Sequence, residues 1–388
     1  MYDTTLPLLR LGFRVFFLAA GAWAVLAMLA WAAAWAGGWQ FGAVPAVAWH
    51  AHEMIYGYAL AVVAGFLLTA VPNWTGRPTP RGAALGLLAA VWLAARLALA
   101  STPGALIVAA VLDLAFDVLL LFAIARPIVA VRQWRQAGIL AKLVLLGGGN
   151  LAFYLGAAGT WPAGQTLALH GGVFLLVALI LTIAGRVLPG FITRGVRVPV
   201  TIAEPRGATG LTLVLFLAFF VAELAGADGR FTGTLAAGLV LVTTHRLVAW
   251  HTPALWREPL LWGLFLAIVT IDFGFGLYAL AGWFAVPRSL ALHAFAAGGI
   301  GLATLAMMAR VALGHSGRDI REPPRALAPA LVLLALAGLA RVVLPLAAPA
   351  HYAVAVELAQ GLWVAAFAIF VLVYAPILWR PRVDGRDG

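Results

Sequence analysis

The sequence predicts an all-α polytopic membrane protein of about twelve transmembrane helices, on three observations: span-length apolar runs follow one another, charge is too sparse for a water-soluble surface, and arginines gather in alternate turns. Of 388 residues, 64% are hydrophobic and 10% charged, with a mean hydropathy of +1.01. A helix needs about 20 apolar residues to cross about 30 Å of hydrocarbon. The intervening turns of Pro, Gly and Arg are too short to hold further domains.

The expected spans, in order, are 15–35, 52–71, 82–100, 105–125, 139–158, 167–188, 211–226, 231–249, 259–282, 290–313, 326–346 and 352–375. The first is long enough to span and has no small-residue cleavage pattern, so it is expected to remain as helix one. The net charge of +11 is a topology signal rather than a nucleic-acid footprint. Its arginines fall in alternate turns, at Arg10 and Arg14, Arg77 and Arg81, then within 126–135, 194–206, 246–257, 318–325 and 380–386, whereas the opposite turns hold chiefly Arg230 and Arg288. The positive-inside rule then places both termini in the cytoplasm, as an even span count also requires. The expected partner of the surface is the lipid bilayer, with no nucleic acid.

An internal repeat emerges from spans two, six and ten. Each begins with a histidine and ends in an arginine-bearing turn: His52 to Arg77, His170 to Arg194 and His293 to Arg318 are separated by 25, 24 and 25 residues. The pattern suggests three pseudo-symmetric units of four helices, about 1–136, 137–257 and 258–388, with the three histidines at a similar depth.

Absent residues exclude chemistry. With no cysteine there is no disulfide, thiolate zinc site, iron–sulfur cluster or thiolate haem ligand, so a metal must be held by His, Met or carboxylate. There is one lysine, Lys142, and neither a Gly-rich phosphate loop nor a serine-nucleophile motif.

The residues left to carry chemistry are ionisable groups at membrane depth. Trp49-His50-Ala51-His52-Glu53-Met54 opens span two. Histidines two apart on a helix point about 200° from one another, so His50 and His52 each face a different neighbour rather than one ion. His50 and His52 are metal-ligand candidates, or else polar residues of the wet interface; Glu53 is a proton carrier, a ligand or a group that orients one. His170 and His293 sit beside glycines that allow close approach and join the candidate ligands, with His351 in reserve near Glu357. His245, His251 and His315 lie with the cytoplasmic arginines in a solvated role. Arg96 pairs with Asp113 or Asp117, or else Arg96 and Arg341 anchor anionic groups, with Asp113, Asp117 and Asp272 available for proton movement. Arg186 and Arg310 are expected to snorkel.

The segment from Trp49 to Met54, continued by Gly65-Phe66-Leu67-Leu68-Thr69-Ala70-Val71-Pro72-Asn73-Trp74-Thr75-Gly76-Arg77-Pro78, resembles the signature of the NnrS family. Supporting matches are Arg14 with Phe16-Phe17, Gly185-Arg186-Val187-Leu188-Pro189-Gly190-Phe191, Arg257 to Trp262, and Met307 to Arg318; Gly190 departs from the pattern, where an aromatic is expected. The resemblance implies a multi-pass bacterial inner-membrane protein of nitric oxide metabolism and nitrosative stress defence that carries haem and copper. The twelve-helix plan with its histidine placement is similar to the architecture of the haem–copper oxidase superfamily.

The leading functional expectation is reduction of nitric oxide at a haem–copper site, the haem of b type. His50 and Glu53 would act in catalysis, His52, His293, Arg96 and Arg341 would contact cofactor, and His50, His52, His170, His293 and His351 would supply metal ligands. Electrons would come from quinol or a small periplasmic carrier. The alternatives are a protein that binds or senses NO or iron-nitrosyl species without turnover, and a secondary transporter, whose paired or inverted repeats fit three parallel units poorly.

Overall fold

A computed structural model describes residues 6–37, 42 and 44–386. With no water in hydrocarbon to satisfy the backbone, an apolar chain resolves its N–H and C=O groups within helices, and among the described residues there is no strand. Among the described residues, eleven helices are long and apolar enough to cross a membrane. They are α1 (Gly12–Trp35), α2 (Ala46–Thr75), α3 (Gly82–Ala100), α4 (Pro103–Ala130), α5 (Trp134–Ala157), α6 (Gly164–Gly195), α8 (Gly229–Trp250), α9 (Pro259–Ala281), α10 (Arg288–His315), α11 (Leu327–Ala347) and α12 (Pro349–Trp379). Between α6 and α8 lies α7 (Ala208–Leu224), an apolar helix of 17 residues, about 26 Å long and at the lower limit for a span. The expected spans are thus all helical, with ends displaced by a few residues. The largest displacement that matters is in α2, which begins at Ala46 behind Pro45, so His50 and His52 lie inside the helix.

Two of these helices contain a π-helical segment. Glu53–Ala59 in α2 and Ala294–Ile300 in α10 are π-helical, and each segment starts at the residue after a histidine, His52 and His293. In both, the fifth residue is glycine, Gly57 and Gly298. By contrast α6, which carries His170, is a continuous α-helix. A π turn widens the helix and re-aims the side chains around it, a feature concentrated at functional sites.

Contacts divide the chain into two compact units, one of Met1–Leu175, Val311–Arg318 and Phe367–Gly388, the other of Leu176–Arg310 and Asp319–Ala366. In the first, Phe13, Phe16 and Phe17 of α1 are fully buried. Beside them Arg14, also fully buried, donates from Nη1 to the carbonyls of Leu378 (2.8 Å) and Arg380 (2.7 Å). These are orphan acceptors at the C-terminal end of α12, where a cation is favoured. The Arg-x-Phe-Phe element of the sequence is therefore a packing and capping device.

In the second unit, Gly298 of α10 meets Gly338 of α11 so closely that a Cβ on Gly338 would stand 3.1 Å from the Gly298 Cα. Small residues allow this approach. Arg246, 1% exposed, pairs with Glu204 at 2.9 Å and lies 4.7 Å from the Trp250 ring. Arg310 does not snorkel as expected: it is buried, with its guanidinium 4.0 Å from the Phe191 ring, where the aromatic face replaces part of its hydration.

Candidate functional site

The first unit encloses a polar cluster built by five helices. The π segment of α2 brings His52 and Glu53 toward α1, α3, α4 and α5. His52, Glu53, Arg96, Asp113 and Asn150 are all fully buried. Charges in such a place must be paired, and these are. Arg96 Nη1 stands 3.3 Å from Glu53 Oε1, while its Nη2 pairs with Asp113. Trp23 Nε1 donates to Glu53 Oε2 at 2.7 Å, and the Tyr154 hydroxyl donates to Asp113 Oδ2 at 2.8 Å.

His52 links the two halves of the cluster. Its Nδ1 is 3.1 Å from Glu53 Oε1, and its Nε2 is 2.9 Å from Asn150 Oδ1 and 3.5 Å from Asp113 Oδ2. The Asn150 amide nitrogen in turn donates to Asp117 Oδ2 at 2.9 Å. Phe153 packs on the imidazole with ring centroids 4.2 Å apart. Both ring nitrogens are thus engaged, and the arrangement holds the imidazole as a hydrogen-bonding group between carboxylates.

Gly57 is a structural condition of the cluster. A Cβ there would lie 2.6 Å from Glu53 Oε2, 2.8 Å from Trp23 Nε1 and 3.0 Å from Arg96 Nη1. Gly57→Ala is expected to lower stability by about 1–3 kcal/mol through overpacking. Gly148→Ala, at a helical glycine with nothing within 4 Å of its Cβ, should be neutral. Unfolding of the two variants in one detergent checks the contrast.

The other expected residues lie elsewhere. His50 diverges from His52, as the helical spacing requires, and stacks on Trp31 of α1 at 4.7 Å and 15°. His170 is half-buried in α6, and His351 and Glu357 are exposed at the start of α12. His245 and His251 are exposed, and His315 lies beside Phe13 with ring centroids 5.7 Å apart. Asp272 accepts from the Thr244 hydroxyl at 2.7 Å. Of the two expected partners for Arg96, Asp113 is the one taken, with Glu53 beside it.

The second unit holds a different arrangement around His293. Nδ1 of this half-buried residue is 2.7 Å from the carbonyl of Ser289, one turn earlier in α10. Since a carbonyl only accepts, Nδ1 carries the hydrogen and Nε2 presents its lone pair. That is the tautomer and orientation a metal-ligating histidine takes. The first turns of α10 pack against α11, which carries Arg341. Its Nη2 donates to the Tyr352 hydroxyl at 3.1 Å, whereas its Nη1 is buried without a hydrogen-bond partner. A guanidinium left half-satisfied in this way fits an anionic group.

Asn150, Tyr154, Trp23 and Gly57 were not among the expected site residues. Asn150 had a signal, as an amide in the middle of an apolar helix, directly after Gly147-Gly148-Gly149. No curated protein matches the sequence. The NnrS protein family model matches residues 7–382, nearly the entire chain, and the protein belongs to the NnrS family.

Proposed function

We propose that the protein binds nitric oxide at a b-type haem in the bacterial inner membrane and reduces it, in defence against nitrosative stress. Family membership supports a nitric oxide-related haem/copper protein in general. The observation that carries the finer reading is the Arg341 Nη1 buried without a hydrogen-bond partner in the second unit, which also holds His293 with its Nδ1 engaged by the Ser289 carbonyl and its Nε2 left for a metal. His293 would hold the haem iron and Arg341 a haem carboxylate. The Ser289 carbonyl keeps the imidazole in the ligating tautomer and raises its basicity. Bound haem supplies a one-electron redox centre at which NO can be held.

Reduction joins two NO with two electrons and two protons to give N2O and water. The electrons are assigned to quinol or a small periplasmic carrier, and both termini to the cytoplasm, on the arginine distribution. Arg96 is a poor anchor for haem, because Glu53 and Asp113 already hold it. Copper, which the family resemblance implies, has no comparable cradle: among the described residues no group of three His, Asp or Glu is placed to hold a metal. No step is assigned to copper; the second reading is NO binding without turnover.

The test is haem and copper content of the purified full chain, with reduced-minus-oxidised and NO-difference spectra. Stoichiometric haem with a spectrum shifted by NO is expected. Colourless, copper-free protein from cells supplied with iron, copper and haem precursor would overturn the proposal.

A further inference from the structure

In the second unit, pairing leaves one buried guanidinium over. Arg310 is 9% exposed, and among the described residues it makes neither a hydrogen bond nor an ion pair. It rests on the Phe191 ring, and the charge that acts on it is another cation, Arg194. Arg194, exposed at the end of α6, likewise has no carboxylate among the described residues. It turns back over Gly190, where a Cβ would stand 3.1 Å from its Nη2. A buried cation with a second cation beside it is costly unless an anion joins them.

Arg310 lines a cavity of about 230 Å³, its mouth included, together with Gly195, Glu258, Leu260, Ile320 and Arg321. The cavity lies among helix ends, since α6 stops at Gly195, α9 starts at Pro259 and α10 stops at His315. It therefore belongs to the boundary of membrane and water. The start of α9 adds donors. Pro259 has no N–H, and the Glu258 carbonyl accepts from Leu261 (2.9 Å) and Trp262 (3.1 Å). The Leu260 N–H is then an orphan of the helix start, and with the positive end of the helix dipole it suits an oxyanion.

The carboxylates near the cavity are already engaged. Glu258 Oε1 accepts from Arg197 Nε at 3.0 Å, and Asp319 pairs with Arg321 at 3.4 Å. Arg197 also donates to the Arg321 carbonyl at 3.2 Å, which ties that loop to Glu258. What these pairs leave unbalanced is positive: Arg310, Arg194 and the end of α9.

We infer that this cavity binds a phosphate-type oxyanion, held by the Arg310 guanidinium and the N-terminus of α9, with Arg194 as a supporting charge. Free phosphate and the phosphate of a lipid headgroup share that chemistry, and both reach a cavity placed at helix ends. The inference uses neither haem nor nitric oxide and is independent of the reading above.

The experiment is thermal unfolding of the full chain in dodecyl maltoside, in two arms. One titrates sodium phosphate against sodium chloride at equal ionic strength; the other titrates phosphatidylglycerol against diacylglycerol, which lacks the phosphate. A ligand bound by the native state raises the melting temperature saturably. A rise in the first arm identifies the free oxyanion, and a rise in the second alone identifies the lipid headgroup. Arg310→Gln is expected to weaken the apparent affinity about tenfold or more, through loss of charge-assisted hydrogen bonds, and the exposed Arg194→Gln about threefold. Arg77→Gln, which removes an exposed arginine of the first unit, should leave it unchanged. Because Arg194 is exposed, its variant decides the matter if Arg310→Gln does not fold. No rise in either arm, or a rise that Arg310→Gln and Arg194→Gln leave intact, would refute the inference.

Discussion

Arg96→Met is expected to cost about 3–5 kcal/mol of stability, because it removes the one guanidinium that neutralises two buried carboxylates. Glu53 and Asp113 are both fully buried and both touch Arg96. Without it they must either remain as uncompensated anions or take up protons, and each route costs free energy. The effect belongs to the pairing and not to the volume of the side chain, so adding Asp113→Asn to Arg96→Met should recover part of the loss, although it removes a second native group. Reversible unfolding of the single and double variants in mixed micelles measures the coupling. Two costs that simply add would mean that Arg96 and Asp113 do not act as a pair.

His293→Ala is expected to abolish stable haem binding, and Arg341→Gln to weaken it about tenfold or more, since truncating one partner of a buried charge-assisted contact raises the dissociation rate. His52→Ala should act differently. It leaves Glu53 Oε1 and Asn150 Oδ1 short of a donor, so stability should fall by about 1–3 kcal/mol per unsatisfied group while haem content is kept. Haem-to-protein ratios from pyridine haemochrome spectra, beside melting temperatures, resolve the two patterns. Haem loss from His52→Ala without haem loss from His293→Ala would exchange the roles assigned to the two histidines.

The fold was legible because hydrocarbon imposes one rule on every span, an apolar run long enough to cross and helical enough to satisfy itself. The ends were less legible because helices continue past the hydrocarbon: α2 gains Ala46–Ala51 before His52, and α6 runs on to Gly195. His52 and Glu53 stood out as ionisable groups at membrane depth, and Arg96 and the Asp113/Asp117 pair for the same reason. Their partners did not, since the Asn150 that meets His52 is 98 residues away and spacing along one helix carries no information about it. The π segments were not legible at all. Glu-Met-Ile-Tyr-Gly-Tyr-Ala and Ala-Phe-Ala-Ala-Gly-Gly-Ile share a glycine at the fifth place and little else. Arg341 differs from Arg96 in context: Arg96 lies against two buried carboxylates, whereas Arg341, among the described residues, has an Nη1 without a hydrogen-bond partner and no carboxylate paired with it, a distinction invisible until the helices are assembled.

The most direct test of the central claim is NO consumption and N2O release by the haem-loaded protein in proteoliposomes, with quinol or a reduced periplasmic carrier as donor. Reduction predicts sustained NO loss over many equivalents of protein, one N2O for every two NO, abolished in His293→Ala. Uptake that stops at one NO per haem, with no N2O from either donor, would contradict reduction and leave a protein that binds NO without turning it over.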